Sequence, residues 1–243
     1  MRVAIASDIH GNKQAFQAVI AAAEADGADE LWCLGDLVGY GGEPDACVAL
    51  ADAHCAISLA GNHDLAVVDV LSLDDFSRGA ALAAYWTRDV ISPQTREYLL
   101  SLSPKGSAEG VGLFHASPRD PVWEYVLSAL AAELCFDATD FRVSLIGHSH
   151  VALSFHRPEG QPATGTTRKE GVQVDLRTGD WLINPGSTGQ PRDGDARAAW
   201  LVLDTVAWTA TWRRAEYDIA GAQAAIRAAN LPDSLAERLQ YGQ

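Results

Sequence analysis

MRVAIASDIHGNKQAFQAVIAAAEADGA, residues 1 to 28, sets the fold class. Its run RVAIAS (2–7) is apolar without polar alternation, as a short strand buried on both faces should be. Behind it, NKQAFQAVIAAAEADGA (12–28) returns apolar residues at helical spacing, with Asn12 placed to cap the first turn. A strand followed at once by a helix is a βα unit. Between the two lies SDIHGN, polar and glycine-containing, where the chain must turn.

The pattern recurs. ELWCLG (30–35) reads as a strand, EPDACVALADA (43–53) as a helix and AISLAG (56–61) as a strand. Three such strands predict a parallel, doubly wound sheet. Residues 74–103 predict two helices broken at Pro93, forming a small helical cap near the site. Further on, GVGLFHAS (110–117) predicts a strand, VWEYVLSALAAELCF (122–136) a helix and FRVSLIGHSH (141–150) a strand. The stretches from ALSFHR to AEYD predict strands and hairpins of a mixed or antiparallel sheet, with RPEGQPATGTTRKEG (157–171) a hairpin or loop. The last residues read as an amphipathic helix, a stop at Pro232 and a short final helix. Residues 1–243 are read as one α/β domain.

Composition agrees with a packed globular protein, at 48% hydrophobic and 21% charged residues. No apolar stretch approaches the roughly eighteen residues of a membrane span, and no signal-peptide cleavage pattern follows the N-terminus. The cytoplasm is the expected compartment. Cys33, Cys47, Cys55 and Cys135 lack the close pairing of a zinc cage and are expected to be reduced and mostly buried. A net charge of −14 argues against binding long nucleic acids. It leaves room for a small phosphorylated substrate, because a bound divalent cation dominates its local field.

The polar clusters all fall where strand patterns end, which is where open α/β sheets collect ligands. SDIHGN, LGDLVGYGG, AGNHD, FHASPRD and IGHSH offer Asp8, His10, Asp36, Asn62, His63, His115, His148 and His150. Gly11, Gly35, Gly61 and Gly147 stand beside them and permit tight turns. Imidazole, carboxylate and amide oxygen together suit Mn, Fe, Zn, Co or Ni. The donors are too many for one ion, and two ions need a bridging carboxylate, for which Asp36 is the best placed. Singly, such residues are turn formers or core histidines. Five of the seven histidines recurring at strand ends make that reading untenable for the set, while His54 and His156 stay ordinary.

In this order the five blocks resemble the calcineurin-like metallophosphoesterase superfamily, with its D-x-H, G-D-x-x, G-N-H-[DE], H and G-H-x-H series. INPGSTGQPRDGDARAAWLVLD (183–204) resembles the small bacterial phosphodiesterase-like branch. The resemblance implies a four-layer αββα sandwich with a dinuclear site, Mn first among the metals. It implies that Asp8, His10, Asp36 and His150 hold one ion and Asp36, Asn62, His115 and His148 the other. A hydroxide bridging the metals would then attack phosphorus in line, with His63 serving the leaving oxygen and Asp64 orienting His63. Asn12, Tyr40, Arg119, Ser187 and Arg192 are candidate substrate contacts. Tyr85 and Trp86 read better as packing between helices than as a base-stacking pair. Phosphodiesters are the favoured substrates, with monoesters, nucleotides, dinucleoside polyphosphates and phosphoproteins as alternatives. A silent scaffold of the same fold would have lost a ligand or the acid histidine, and here none is missing.

Overall fold

The computed structural model describes residues 1–243. Its strands are β1 (Arg2–Ala6), β2 (Glu30–Cys33), β3 (Cys55–Ser58), β4 (Lys105–Ala108), β5 (Val111–Phe114), β6 (Val143–Leu145), β7 (Leu153–Arg157), β8 (Thr164–Thr167), β9 (Gln173–Asp175), β10 (Asp180–Asn184), β11 (Ala198–Asp204) and β12 (Thr209–Ala215). Helices are α1 (Lys13–Ala25), α2 (Pro44–His54), α3 (Asn62–Val67), α4 (Arg78–Val90), α5 (Pro93–Ser101), α6 (Ala129–Phe136), α7 (Ile219–Ala228) and α8 (Asp233–Glu237), with a 3-10 turn at Arg238–Tyr241.

Two six-stranded sheets form, in the orders β3-β2-β1-β11-β12-β9 and β4-β5-β6-β10-β7-β8. The period of two along β1 shows how they stack. Val3 and Ile5 point to the second sheet and join Trp32, Leu34, Leu113, Leu145, Ile183, Leu201 and Trp212 in the core between the sheets. Ala4 and Ala6 point the other way, onto Phe16, Val19 and Ile20 of α1. Small alanines there let the helix approach closely. On the outer face of the second sheet, Phe114, Ile146, Phe155 and Leu182 pack on Ala132, Cys135 and Phe136 of α6. The layers are therefore helix, sheet, sheet, helix. Each large apolar side chain so buried stabilises by about 1.5–3 kcal/mol. The indole of Trp212 reaches the Asn184 carbonyl at 2.9 Å, which keeps its N–H satisfied inside that core.

Several expectations need correction. Only β3, β2 and β1 make the parallel sheet read from the first βα units; antiparallel β11 continues it, with Arg2 opposite Asp204. The second half of the chain thus divides between both sheets. The helix expected over 122–136 begins only at Ala129, capped by Ser128 Oγ, because Asp120 Oδ1 accepts from the amides of Val122 (3.0 Å) and Trp123 (3.1 Å) and holds them in a turn. Residues 74–103 do give two helices split at Ser92-Pro93, with Ser92 capping the second. Of this segment only Asp75, Phe76, Ser77 and Ala80 reach the cleft described below, while α5 packs on α2 and α3. Tyr85 is exposed and Trp86 packs against a satellite core, so neither meets the cleft. His156 stacks on Trp181 at 4.1 Å, as an ordinary structural histidine.

Candidate metal centre

The loops after β1, β2, β3, β5 and β6 converge at one end of the two sheets, and backbone bonds tie them together. Asp8 N donates to Gly35 O at 3.0 Å, His10 N to Asp36 O at 2.8 Å and Gly147 N to His115 O at 2.7 Å. Asp8, His10, Asp36, His148 and His150 all have left-handed backbone, with φ between 51° and 64°. Such a conformation costs a non-glycine residue about 1–2 kcal/mol, so strain is concentrated on residues expected to be ligands. Gly61 is required where it stands, since a Cβ there would collide with Asp36 Oδ1.

Hydrogen bonds fix which ring nitrogens face inward. The Nδ1 atoms of His10, His115 and His150 lie 3.1, 2.9 and 2.7 Å from the carbonyls of Val38, Leu34 and Gln190. A carbonyl only accepts, so each Nδ1 carries the hydrogen and each Nε2 presents a lone pair. Yet Nε2 of His10 and Nε2 of His150 face each other at 3.0 Å. Asp36 Oδ2 lies between the two halves of the site, 3.6 Å from His10 Nε2 and 3.5 Å from His115 Nε2. Asp8 Oδ1 is 3.5 Å from His150 Nε2, and Asn62 Oδ1 is 3.2 Å from His115 Nε2. His148 Nε2 is buried without any partner.

Burial dominates the electrostatics. It lifts Asp8 to about 7 and Asp36 well above the usual carboxylate range, where repulsion from Asp64 adds to it. The same burial pushes His10, His148 and His150 well below the ordinary imidazole value. Opposed lone pairs, an orphaned Nε2 and buried carboxylates are all relieved by cations at their centre. The donor set, imidazole with carboxylate and no thiolate, fits divalent ions. Three groups of donors lie mutually within 4.8 Å: Asp8, His10 and His150; Asp36, His115 and His148; and His10, Asp36 and His63.

His63 is therefore as near the centre as the ligands are, and hydrogen bonding is what separates it from His10, His115 and His150. Its Nδ1 is buried against Gly39 with no acceptor. Burial, then the charges of Arg192 and His115, push its pKa down to about 3. Asp64 does not orient it, contrary to expectation. The Asp64 carboxylate accepts from the amides of Gly61 (2.9 Å), Val38 (3.0 Å) and Leu37 (3.2 Å), and so clamps the second loop to the third.

A cleft of about 300 Å³ opens over these ligands. Of the candidate substrate contacts, Tyr40 and Arg192 line it. Three do not. Asn12 caps α1 through Ala15 N and donates to Gly189 O at 2.8 Å; Ser187 is fully buried and donates to Asp8 O at 2.8 Å; Arg119 sits outside and pairs with Glu124 at 3.5 Å. The cleft also holds Phe76, Trp123, Tyr125 and Arg238, which sequence reasoning missed. Tyr125 stacks on His148 with ring centres 4.1 Å apart, and Phe76 meets Trp123 edge-on at 5.3 Å. Ser128, a cap residue inside the supposed helix, was the available signal that 122–127 forms a loop.

Fold and ligand geometry define a metallophosphoesterase-type centre, and comparison with known proteins agrees. The sequence pattern of the Calcineurin-like phosphoesterase superfamily domain matches residues 1–207, so the chain belongs to that superfamily. It is 36% identical to an uncharacterized protein of Methanocaldococcus jannaschii over 99% of this chain and 98% of the other. A crystal structure of a metallophosphoesterase from Sphaerobacter thermophilus shares 40% identity, with a TM-score of 0.90, covering 100% of this chain and 99% of that one. A hypothetical protein from Pyrococcus horikoshii OT3 shares the fold at 17% identity, with a TM-score of 0.77 over 100% and 98% of the two chains. The family is metal-dependent. No helix of the structure is long and apolar enough to cross a membrane.

Proposed function

We propose that the protein is a cytoplasmic hydrolase of small phosphodiesters that works with two divalent ions, manganese by preference. The observation that carries the reading is the pair of Nε2 lone pairs of His10 and His150 opposed at 3.0 Å beside Asp36. Asp8, His10, Asp36 and His150 would hold one ion, and Asp36, Asn62, His115 and His148 the other. Bound there, divalent ions supply Lewis acidity toward the phosphoryl oxygens and toward water.

The chain's own residues do the rest. Asp36 belongs to both ligand sets and fixes their spacing. His63 reaches the edge of the same centre from the cleft wall, where its neutral ring would offer the leaving oxygen a hydrogen bond. Tyr125 and Trp123 overhang the ligands and shield them from bulk water. The preference for diesters rests on the likeness of residues 183–204 to the phosphodiesterase-like branch.

Turnover of bis-p-nitrophenyl phosphate by the manganese-loaded protein tests the reading. The wild type should be active, and His63→Ala should lower kcat by about a hundredfold at unchanged metal content. Equal, negligible turnover in both would sink it.

A further inference from the structure

Beyond its ligands, the cleft carries two guanidiniums that no aspartate or glutamate side chain pairs with. Arg192 lies in the loop after β10 and Arg238 begins the 3-10 turn; both are half-buried and both line the cleft. The chain has a net charge of −14, and acidic partners are close at hand. They are engaged elsewhere: Asp193 pairs with Arg214, and Asp195 with Arg197 at 2.7 Å. Neither Arg192 nor Arg238 pairs with an acidic side chain.

The partners of Arg192 are neutral, the Tyr40 and Tyr125 hydroxyls among them. Arg192 Nη2 donates to Gln190 Oε1 at 3.0 Å, its guanidinium carbon sits 5.8 Å from the Tyr40 ring centre, and its Nε is buried with no partner. Arg238 donates from Nε to the backbone oxygen of Gln243, the last residue, which fixes the head group and uses neither Nη. Burial pushes the Arg238 pKa down, and the charge of Arg192 pushes the same way. Two half-buried like charges that face one cleft repel, and a shared polyatomic anion reverses the sign. Guanidinium forks match phosphate oxygens in pairs. The only carboxylates lining the cleft are Asp36, on the floor, and Asp75, which is exposed. Phe76 and Trp123 add flat apolar surface able to take an aromatic group.

We propose that Arg192 and Arg238 form a second phosphate subsite beside the metal centre, so that the substrate is a nucleoside polyphosphate or a diester of one. One phosphate lies over the ligands and is cleaved; its neighbour is held by the two guanidiniums and its base meets Phe76 and Trp123. Water supplies the oxygen that bonds to that phosphorus, the bond to the leaving oxygen breaks with its electron pair, and the proton lost by water balances the charge released. This inference rests on the phosphoesterase reading above and narrows it.

Calorimetry at fixed free manganese, with AMP and its non-hydrolysable α,β-methylene diphosphate analogue as probes, tests the subsite. The wild type should bind the diphosphate at least about tenfold more tightly than AMP. Arg238→Gln and Arg192→Gln should each remove most of that ratio, and Arg238→Lys should keep only part, since lysine retains the charge and loses the fork. Thermal melts confirm that each variant is folded; if Arg238→Gln is not, Arg192→Gln and Arg238→Lys decide. A ratio unchanged in the folded variants, or absent in the wild type, overturns the subsite. The two readings fail separately. A wild type that hydrolyses bis-p-nitrophenyl phosphate but shows no diphosphate preference loses only the subsite, whereas absent turnover sinks the hydrolase whatever the ratio.

Discussion

The floor and the walls of the cleft are built on opposite terms. On the floor, Asp8, His10, Asp36 and His115 are at most 1% exposed, lie at or just beyond strand ends and are pinned by inter-loop backbone bonds. The walls come from a loop at 122–127, the start of the cap, the loop after β10 and the 3-10 turn; Tyr125 is 49% exposed there. A metal tolerates errors of only a few tenths of an ångström in its ligands, so the floor must be over-determined. A substrate is met by surface that can change without disturbing the fold. The proposed function thus assigns chemistry and selectivity to separate elements, and substitutions should separate them too.

The sharpest way to break that division is at Asp36, whose Oδ2 stands between two histidine groups while Oδ1 accepts from His63 N at 2.8 Å. Asp36→Asn keeps the shape and loses the charge that the two proposed ligand sets would share. Turnover should fall on the order of a thousandfold, with the bound manganese dropping from two ions toward one or none. Metal analysis of the purified variant checks it. Full metal content with full activity would show that Asp36 is no bridge.

Asp64 comes next, because it supports the floor without belonging to it. Asp64→Ala strands the amides of Leu37, Val38 and Gly61 and should cost about 3 kcal/mol or more of stability. Asp64→Asn should recover part, since one oxygen remains to accept. Denaturant midpoints measure this. If instead stability held and only the pH profile of turnover moved, Asp64 would be acting through His63 after all.

These two residues also show what the sequence could reveal. The convergence of the candidate ligands was legible because each polar cluster follows a short apolar run and a turn, so local pattern alone places it at a strand end. The role given to Asp64 was not. Adjacent residues of a helix point about 100° apart, so Asp64 at the start of α3 cannot face the ring of His63. Sheet order was lost for a related reason. The pairing of β1 with β11 joins Arg2 to Asp204, and no local periodicity encodes so distant a register. Arg238 belongs to the same class: only the packing of α7 and α8 on the body brings the 3-10 turn to the cleft.

The mildest substitution sharpens the comparison from the wall side. Trp123 is half-buried and packs its indole edge-on to Phe76, while its backbone, not its ring, bonds the expected ligand His148. Its amide is held by Asp120, so removing the indole leaves the loop's backbone anchor in place. Trp123→Ala should therefore shift the melting free energy by no more than about 1 kcal/mol, and metal content should not change. The KM for substrates with an aromatic group should rise about three- to tenfold, the size of one lost ring contact, while kcat for bis-p-nitrophenyl phosphate should move less than about twofold. A large fall in kcat at constant metal content would mean that this wall takes part in the chemistry, and that floor and wall are less independent than their construction implies.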